Sequence, residues 1–266
     1  MVRIKCYYVF IAVLLLFACG KAPNPTSEKP ILFNEAQLYS VLWHQTAAEY
    51  HALLYQGYNL AKFKLEQDLQ KPHKKPPAIV LDLDETVLDN TAYNARSIFR
   101  KQQYPEEFYT WIDAARGQAL PGALEFLRYA DDNGYQLFYI TNRDEKTREG
   151  TLKNLQKLGF PQAEDSRLLM RQDTSSKEPR REVIAAGHEI VLILGDNLLD
   201  FSEIFEERTI NGRFRTVDEQ RAQFGDRFII FPNSMHGEWL KVLLNYQRNL
   251  EPDSLRTLLL KNVRMD

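Results

Sequence analysis

Short apolar runs recur along the chain, each bounded by turn formers and most of them ending in polar residues. The first, Ala78-Ile79-Val80-Leu81, follows Pro76-Pro77 and runs into Asp82-Leu83-Asp84-Glu85-Thr86. Its brevity, its β-branched residues and its flanks predict a strand buried on both faces of a parallel sheet. Residues 136–143, 167–170, 189–194 and 227–231 repeat that pattern. Between the runs the apolar period becomes helical: residues 123–130, stopped by Asn133-Gly134, residues 146–158, closed by Gly159, and a helix starting after Lys177. Strands alternating with helices imply right-handed crossovers and a parallel sheet with helices on both faces, an α/β architecture.

Three further stretches frame this core. Residues 31–69 carry apolar positions at helical spacing (Leu38, Val41, Leu42, Leu53, Leu54) and predict one or two long helices, the main part of a helical lobe over residues 31–70. Residues 88–118 are polar and aromatic and fall between the first strand and Pro121-Gly122, which leaves two readings open: a lid that selects substrate, or a helical pair covering the sheet. Residues 239–250 and 254–263 are expected to close the chain as helices.

A chain of 266 residues with 44% hydrophobic, 26% charged and 12% aromatic positions suits one elaborated domain or a core with a small lobe. A formal net charge of -2 gives no electrostatic reason to expect a nucleic-acid polymer as partner. At the start, Arg3 and Lys5 precede an apolar stretch over residues 7–18 that is too short to span a bilayer. With Leu16-Phe17-Ala18-Cys19 it resembles a bacterial lipoprotein signal, cleaved before Cys19 and acylated there. A plain secretory signal is the other reading, and both place the domain outside the cytoplasm. Cys6 and Cys19 are the chain's two cysteines, so the mature domain has neither disulfide nor thiol chemistry. The organisation read from this is a signal over 1–19, a tether over 20–30, and a domain over 31–266, held at the outer membrane, cell surface or periplasm by lipidated Cys19.

Polar groups collect at the carboxyl ends of four strands, the edge where open α/β sheets bind ligands. They are Asp82, Asp84 and Thr86; Thr141 and Asn142; Lys177; and Asp196 with Asp200. Each alone is weak, but their order after successive strands is specific. Phosphoryl transfer explains the residue types. A carboxylate can attack phosphorus and split one difficult hydrolysis into two steps. A hard divalent cation, Mg²⁺, takes oxygen ligands such as Asp82 and Asp196 and offsets charge on carboxylate and phosphate. Thr141 can donate to a phosphate oxygen, Lys177 supplies fixed positive charge, and Asp84 can move the proton on the leaving oxygen, with a pKa expected to be raised by neighbouring carboxylates.

These residues, in the forms Asp82-Leu83-Asp84-Glu85-Thr86, Thr141-Asn142-Arg143, Lys177 and Gly195-Asp196-Asn197-Leu198-Leu199-Asp200, resemble the motifs of haloacid-dehalogenase-like phosphatases. Together with the lipoprotein signal they resemble the class C acid phosphatases of the lipoprotein e 5'-nucleotidase group. The resemblance implies a Rossmann-like core with an added helical lobe, Mg²⁺, and hydrolysis of phosphomonoesters such as nucleoside monophosphates through a phosphoaspartate. It implies Asp82 as nucleophile, Asp84 as acid and base, and Asp82, Asp196 and the Asp84 carbonyl as metal ligands, with Asp200 supporting them and Thr141 and Lys177 binding phosphate. Relatives stack the base between aromatics; Tyr109 or Trp111 would form one face, and His236 stands where relatives carry a tyrosine in Asn-x-x-Tyr-Gly-x-Trp. Whether two copies pair is left open. Two other functions compete: a glycosyltransferase using Asp-x-Asp for a nucleotide-sugar's metal, and a surface lipoprotein that binds a ligand on a catalytically idle scaffold.

Overall fold

The computed structural model describes residues 37–100, 105–247 and 250–264. The signal, the tether and Cys19 lie outside the described residues. In chain order the elements are α1 (Leu38–Thr46), α2 (Ala48–Asp68), β1 (Pro77–Leu81), β2 (Leu88–Asp89), α3 (Thr91–Arg100), α4 (Glu106–Asp113), β3 (Gln118–Ala119) and α5 (Ala123–Asp132). They continue as β4 (Gln136–Asp144), α6 (Arg148–Leu158), β5 (Leu168–Arg171), α7 (Glu178–Gly187), β6 (Glu189–Gly195), α8 (Ile210–Glu219), β7 (Phe228–Ile230), α9 (Glu238–Leu243) and α10 (Pro252–Asn262).

Five strands form one sheet in the order β5-β4-β1-β6-β7, and every neighbouring pair is parallel. The order reverses beside β1, so the carboxyl ends of β1 and β6 sit side by side, a topological switch point where α/β sheets open a crevice. Alternate residues of each strand feed opposite cores. Ile79, Leu81, Leu137, Tyr139, Leu192, Leu194 and Ile229 pack on one face, with Tyr50, Leu54, Tyr58, Ala61 and Leu65 of α2 and Phe126 and Leu127 of α5. Ala78, Val80, Phe138, Ile140, Ile193 and Phe228 face the other way, against Ile184 of α7 and Phe201 and Phe205. Burial on both faces is why these strands read as unbroken apolar runs. Each fully buried Leu, Ile or Phe contributes about 1.5–3 kcal/mol, so this double core supplies the main drive to fold.

The long helix α2 packs on the core, its apolar residues Tyr50, Leu54, Tyr58, Ala61 and Leu65 sharing one cluster with residues of β1 and β7. One segment departs from the sequence expectation. The closing helix expected over 239–250 is shorter, α9 ending at Leu243, and the turn after it holds Asn245 and Tyr246 at positive φ.

The insertion is bounded by a small antiparallel ribbon, Leu88 opposite Ala119 and Asp89 opposite Gln118. That ribbon fastens both ends of the segment holding α3 and α4 to the rim of β1. On its far side α4 rests on α6 at Gly150, where an added Cβ would fall 2.7 Å from the Asp113 Cα and 2.8 Å from the Ile112 oxygen. Only a residue without a side chain lets the two backbones meet so closely.

Candidate active site

The loop after β1 is a tight turn in which the Leu83 carbonyl accepts from Val87 and Leu88 at 3.0 and 2.8 Å. It turns the Asp82 and Asp84 side chains to different partners. Asp82, 8% exposed, meets the Lys177 ammonium, which also bonds Asp200 at 2.7 Å. Lys177 comes from the start of α7 after β5, and Asp200 from the turn after β6, where its other oxygen accepts the Asn197 N–H at 2.9 Å in a capping box. Asp196, at the end of β6, completes the group. One carboxylate oxygen each from Asp82, Asp196 and Asp200 lies within 4.8 Å of the others.

Burial dominates the electrostatics of this cluster. It pushes the Asp82 carboxyl up to about 7, Lys177 opposing and Asp200 and Asp84 adding to the rise. Asp196 is driven well above the usual carboxylate range by burial, then by Asp200 and Asp82, and Asn233 donates to it at 2.7 Å. Burial opposes the Lys177 charge, yet Asp200 and Asp82 outweigh it and raise its pKa. Three converging carboxylates with one ammonium among them lack positive charge. An all-oxygen donor set in that condition fits a hard divalent cation.

Asp84 turns to the other side, where Arg143, the buried last member of Thr141-Asn142-Arg143, holds it through Nη2 at 2.7 Å and Nε at 3.0 Å. Asn90 donates to the same oxygen at 2.8 Å, and the Trp111 indole N–H donates to Asn90 at 3.0 Å. Arg143 also donates to the Thr151 hydroxyl at 3.2 Å on α6. The expectation of a raised Asp84 pKa is therefore corrected. Burial does work against its charge, but Arg143, His236 and Asn90 outweigh burial and hold the carboxyl below its ordinary value.

Thr141 is fully buried at the end of β4, its hydroxyl accepting the Arg143 N–H at 3.1 Å, so the hydroxyl hydrogen is not used in that bond. Arg180 ties this strand end to the Lys177 loop, donating to the Thr141 carbonyl and the Asn142 side chain at 2.7 Å each and to the Ser176 carbonyl at 2.9 Å. Of the three aromatic rings expected to stack on a base, Trp111 is turned inward, 8% exposed with its N–H on Asn90. Tyr109 is half-buried, with the Lys146 ammonium 3.9 Å from its ring centre. His236 keeps 44% of its side chain exposed and bonds Glu85 at 2.8 Å. Burial disfavours its charge, but Glu85, Asp196 and Asp84 raise its pKa to about 9.

Glu85 had no role in the sequence reading, yet it is buried and sits at φ 61°, a left-handed conformation that costs about 1 kcal/mol or more outside glycine. Its carboxylate accepts the Asn90 N–H at 3.2 Å as well as meeting His236, which links the β1 turn to residues 233–237. Arg143, Asn90, Arg180 and Asn233 were also missed as partners. Their pairings span 6 to 59 residues of sequence and carry no local spacing signal.

Residues 30–239 match a family model described as HAD superfamily, subfamily IIIB (acid phosphatase). The chain is similar to the class C acid phosphatase from Bacillus anthracis, solved with tungstate bound: TM-score 0.84, 41% identity, over 88% of this chain and 99% of that one. A second structure of that protein superimposes with TM-score 0.84 at 40% identity and the same coverage. Acid phosphatase 1 of Solanum lycopersicum is 27% identical over 130 residues, which is 46% of this chain and 50% of the tomato protein. The chain thus spans about half the length of the curated relatives it matches.

Proposed function

The chain belongs to the subfamily IIIB acid phosphatases of the HAD superfamily, and on that premise we propose that it is a Mg²⁺-dependent phosphomonoesterase acting through a phosphoaspartate. The observation that carries this reading is the meeting of Asp82, Asp196 and Asp200 around Lys177 at one rim of the sheet, with Asp84 held separately by Arg143. Mg²⁺ held by Asp82, Asp196 and the Asp84 carbonyl, with Asp200 behind them, would neutralise charge on the cluster and the phosphoryl group. Among the chain's own residues, Lys177 opposes the rise in the Asp82 pKa and offers positive charge to phosphate oxygens, and Thr141 donates its hydroxyl to another of them.

Asp82 then forms a bond to phosphorus as the bond to the leaving oxygen breaks, and Asp84 gives that oxygen a proton. In the second step water attacks phosphorus, its proton passes to Asp84, and inorganic phosphate leaves as Asp82 is restored. Arg143, His236 and Asn90 hold the Asp84 pKa down, so the protonated form that the first step needs gains population only as the pH falls, while the form of Asp82 that attacks is the carboxylate.

Nucleoside 5'-monophosphates are the substrates we assign, with Tyr109 and His236 at the mouth and Trp111 bracing Asn90 from within. The place of action is outside the cytoplasm, at a membrane reached through acylated Cys19. The test is a panel of phosphomonoesters, assayed with Mg²⁺ and with chelator, on the parent and Asp82→Asn. Turnover confined to metal-loaded parent enzyme is expected. Turnover in chelator, or an active Asp82→Asn enzyme, refutes the mechanism. Tight binding of every phosphomonoester without turnover would favour the idle scaffold.

A further inference from the structure

A groove of about 920 Å³ runs along the free edge of β7, between α2, α8 and α9. Leu53, Phe214, Ile230 and Trp239 line it while remaining 41–63% exposed, in contrast to the double core beneath. Such a volume lies within the range of pockets that enclose a small organic ligand, and a concave apolar wall with few polar groups is the usual construction of one. Solvated apolar surface on this scale marks a site for something apolar.

Two polar features say what kind. At one end the lining includes Asp196, Asn197 and Asn233, so the groove is continuous with the rim where Asp196 joins Asp82. Arg213 also lines it, and its Nη1 is buried without a hydrogen-bond partner, a costly state that is relieved if the guanidinium turns to meet an acceptor oxygen on a ligand in the groove. Arg213 lies three residues after the start of α8, and burial is the first cause holding its pKa below the usual value.

We propose that the groove seats the leaving group of an amphiphilic phosphomonoester, a single alkyl or acyl chain whose phosphate occupies the Asp82 rim and whose head-proximal oxygen accepts from Arg213. The inference rests on the phosphomonoesterase reading and names a second substrate class for the same site, beside nucleotides. Apolar chain buried in the groove lowers the free energy of the bound state methylene by methylene, to a limit of roughly fourfold per buried CH₂. Specificity should therefore rise with chain length until the groove is full.

The experiment measures kcat/KM for n-alkyl phosphates from ethyl to decyl, below their micellar concentrations, on the full chain and on Phe214→Asp and Ile230→Asp. Calorimetric binding of ethyl- and decylphosphonate is measured in parallel. The expectation is a rise of at least tenfold from butyl to decyl, tighter binding of the long phosphonate, and loss of both gains in the two variants. Arg213→Met should lower affinity for an acyl-glycerol phosphate more than for a plain alkyl phosphate. Equal kcat/KM across chain lengths with equal phosphonate affinities overturns the groove assignment while leaving the phosphomonoesterase reading intact. A self-associated chain that buries the groove gives that flat result, and sedimentation identifies it. Absence of turnover for every ester refutes the phosphomonoesterase reading instead, and phosphonate binding then decides the groove by itself.

Discussion

Acid should loosen this fold at one identifiable histidine. His44 of α1 is 2% exposed, and its Nε2 accepts the Ser234 N–H at 3.3 Å, which requires that nitrogen to keep its lone pair. Burial, and then the charge on His236, lowers its pKa from 6.5 to about 4. The folded state thus resists a proton that the unfolded chain accepts. Stability contributed by neutral His44 is fully present above pH 6.5 and is lost as pH falls toward 4. Between pH 7 and pH 5 the difference in proton uptake amounts to about 2 kcal/mol for a fully enclosed ring, and to about 1–2 kcal/mol once water at the ring edge is allowed for. His44→Gln keeps an acceptor for Ser234 but cannot titrate. Urea unfolding at pH 7 and pH 5 should give the parent a larger loss than the variant by that amount, and exchange of the Ser234 amide should speed up in acid for the parent. Equal pH dependence in the two proteins would refute the reasoning.

Other perturbations test the supports of the site. Gly150→Ala should push α4 off α6, since the new Cβ meets backbone at 2.7 Å; a cost of about 1–3 kcal/mol in unfolding and a fall in activity are expected. Trp111→Phe deletes the 3.0 Å bond to Asn90 and should lower kcat by roughly tenfold while leaving KM near its parent value, because only the positioning of Asp84 is relaxed; an unchanged kcat would count against that chain of contacts. Lys177→Met leaves Asp82 and Asp200 without their shared ammonium, and breaking a buried pair this way costs about 3–5 kcal/mol. Thermal unfolding in chelator should show the loss and Mg²⁺ should restore part of it.

The sheet was legible because a strand buried on both faces leaves an unbroken apolar run, and all five runs became strands of one parallel sheet. Between β1 and Pro121-Gly122 the polar, aromatic segment leaves the sheet, and the β2–β3 ribbon joins its two ends. What could not be read were pairings made only in three dimensions. The Asp84 environment was inferred from nearby carboxylates in the sequence, yet Arg143, 59 residues away, decides it. Glu85 was given no role from the sequence, and its positive φ and its bonds to Asn90 and His236 reveal the joint it makes. Trp111 or Tyr109 was expected as one face of a base-stacking slot because relatives stack the base between aromatics; indole also has an N–H that must be satisfied when buried, and here the Trp111 N–H goes to Asn90.

The most direct measurement is acid quenching of the enzyme during turnover of a phosphomonoester with Mg²⁺, followed by mass spectrometry of its peptides. A phosphoryl group is expected on the peptide containing Asp82, present only during turnover and absent from Asp82→Asn. A phosphoryl group on another residue, or rapid turnover with none captured alongside an active Asp82→Asn enzyme, would contradict the phosphoaspartate mechanism.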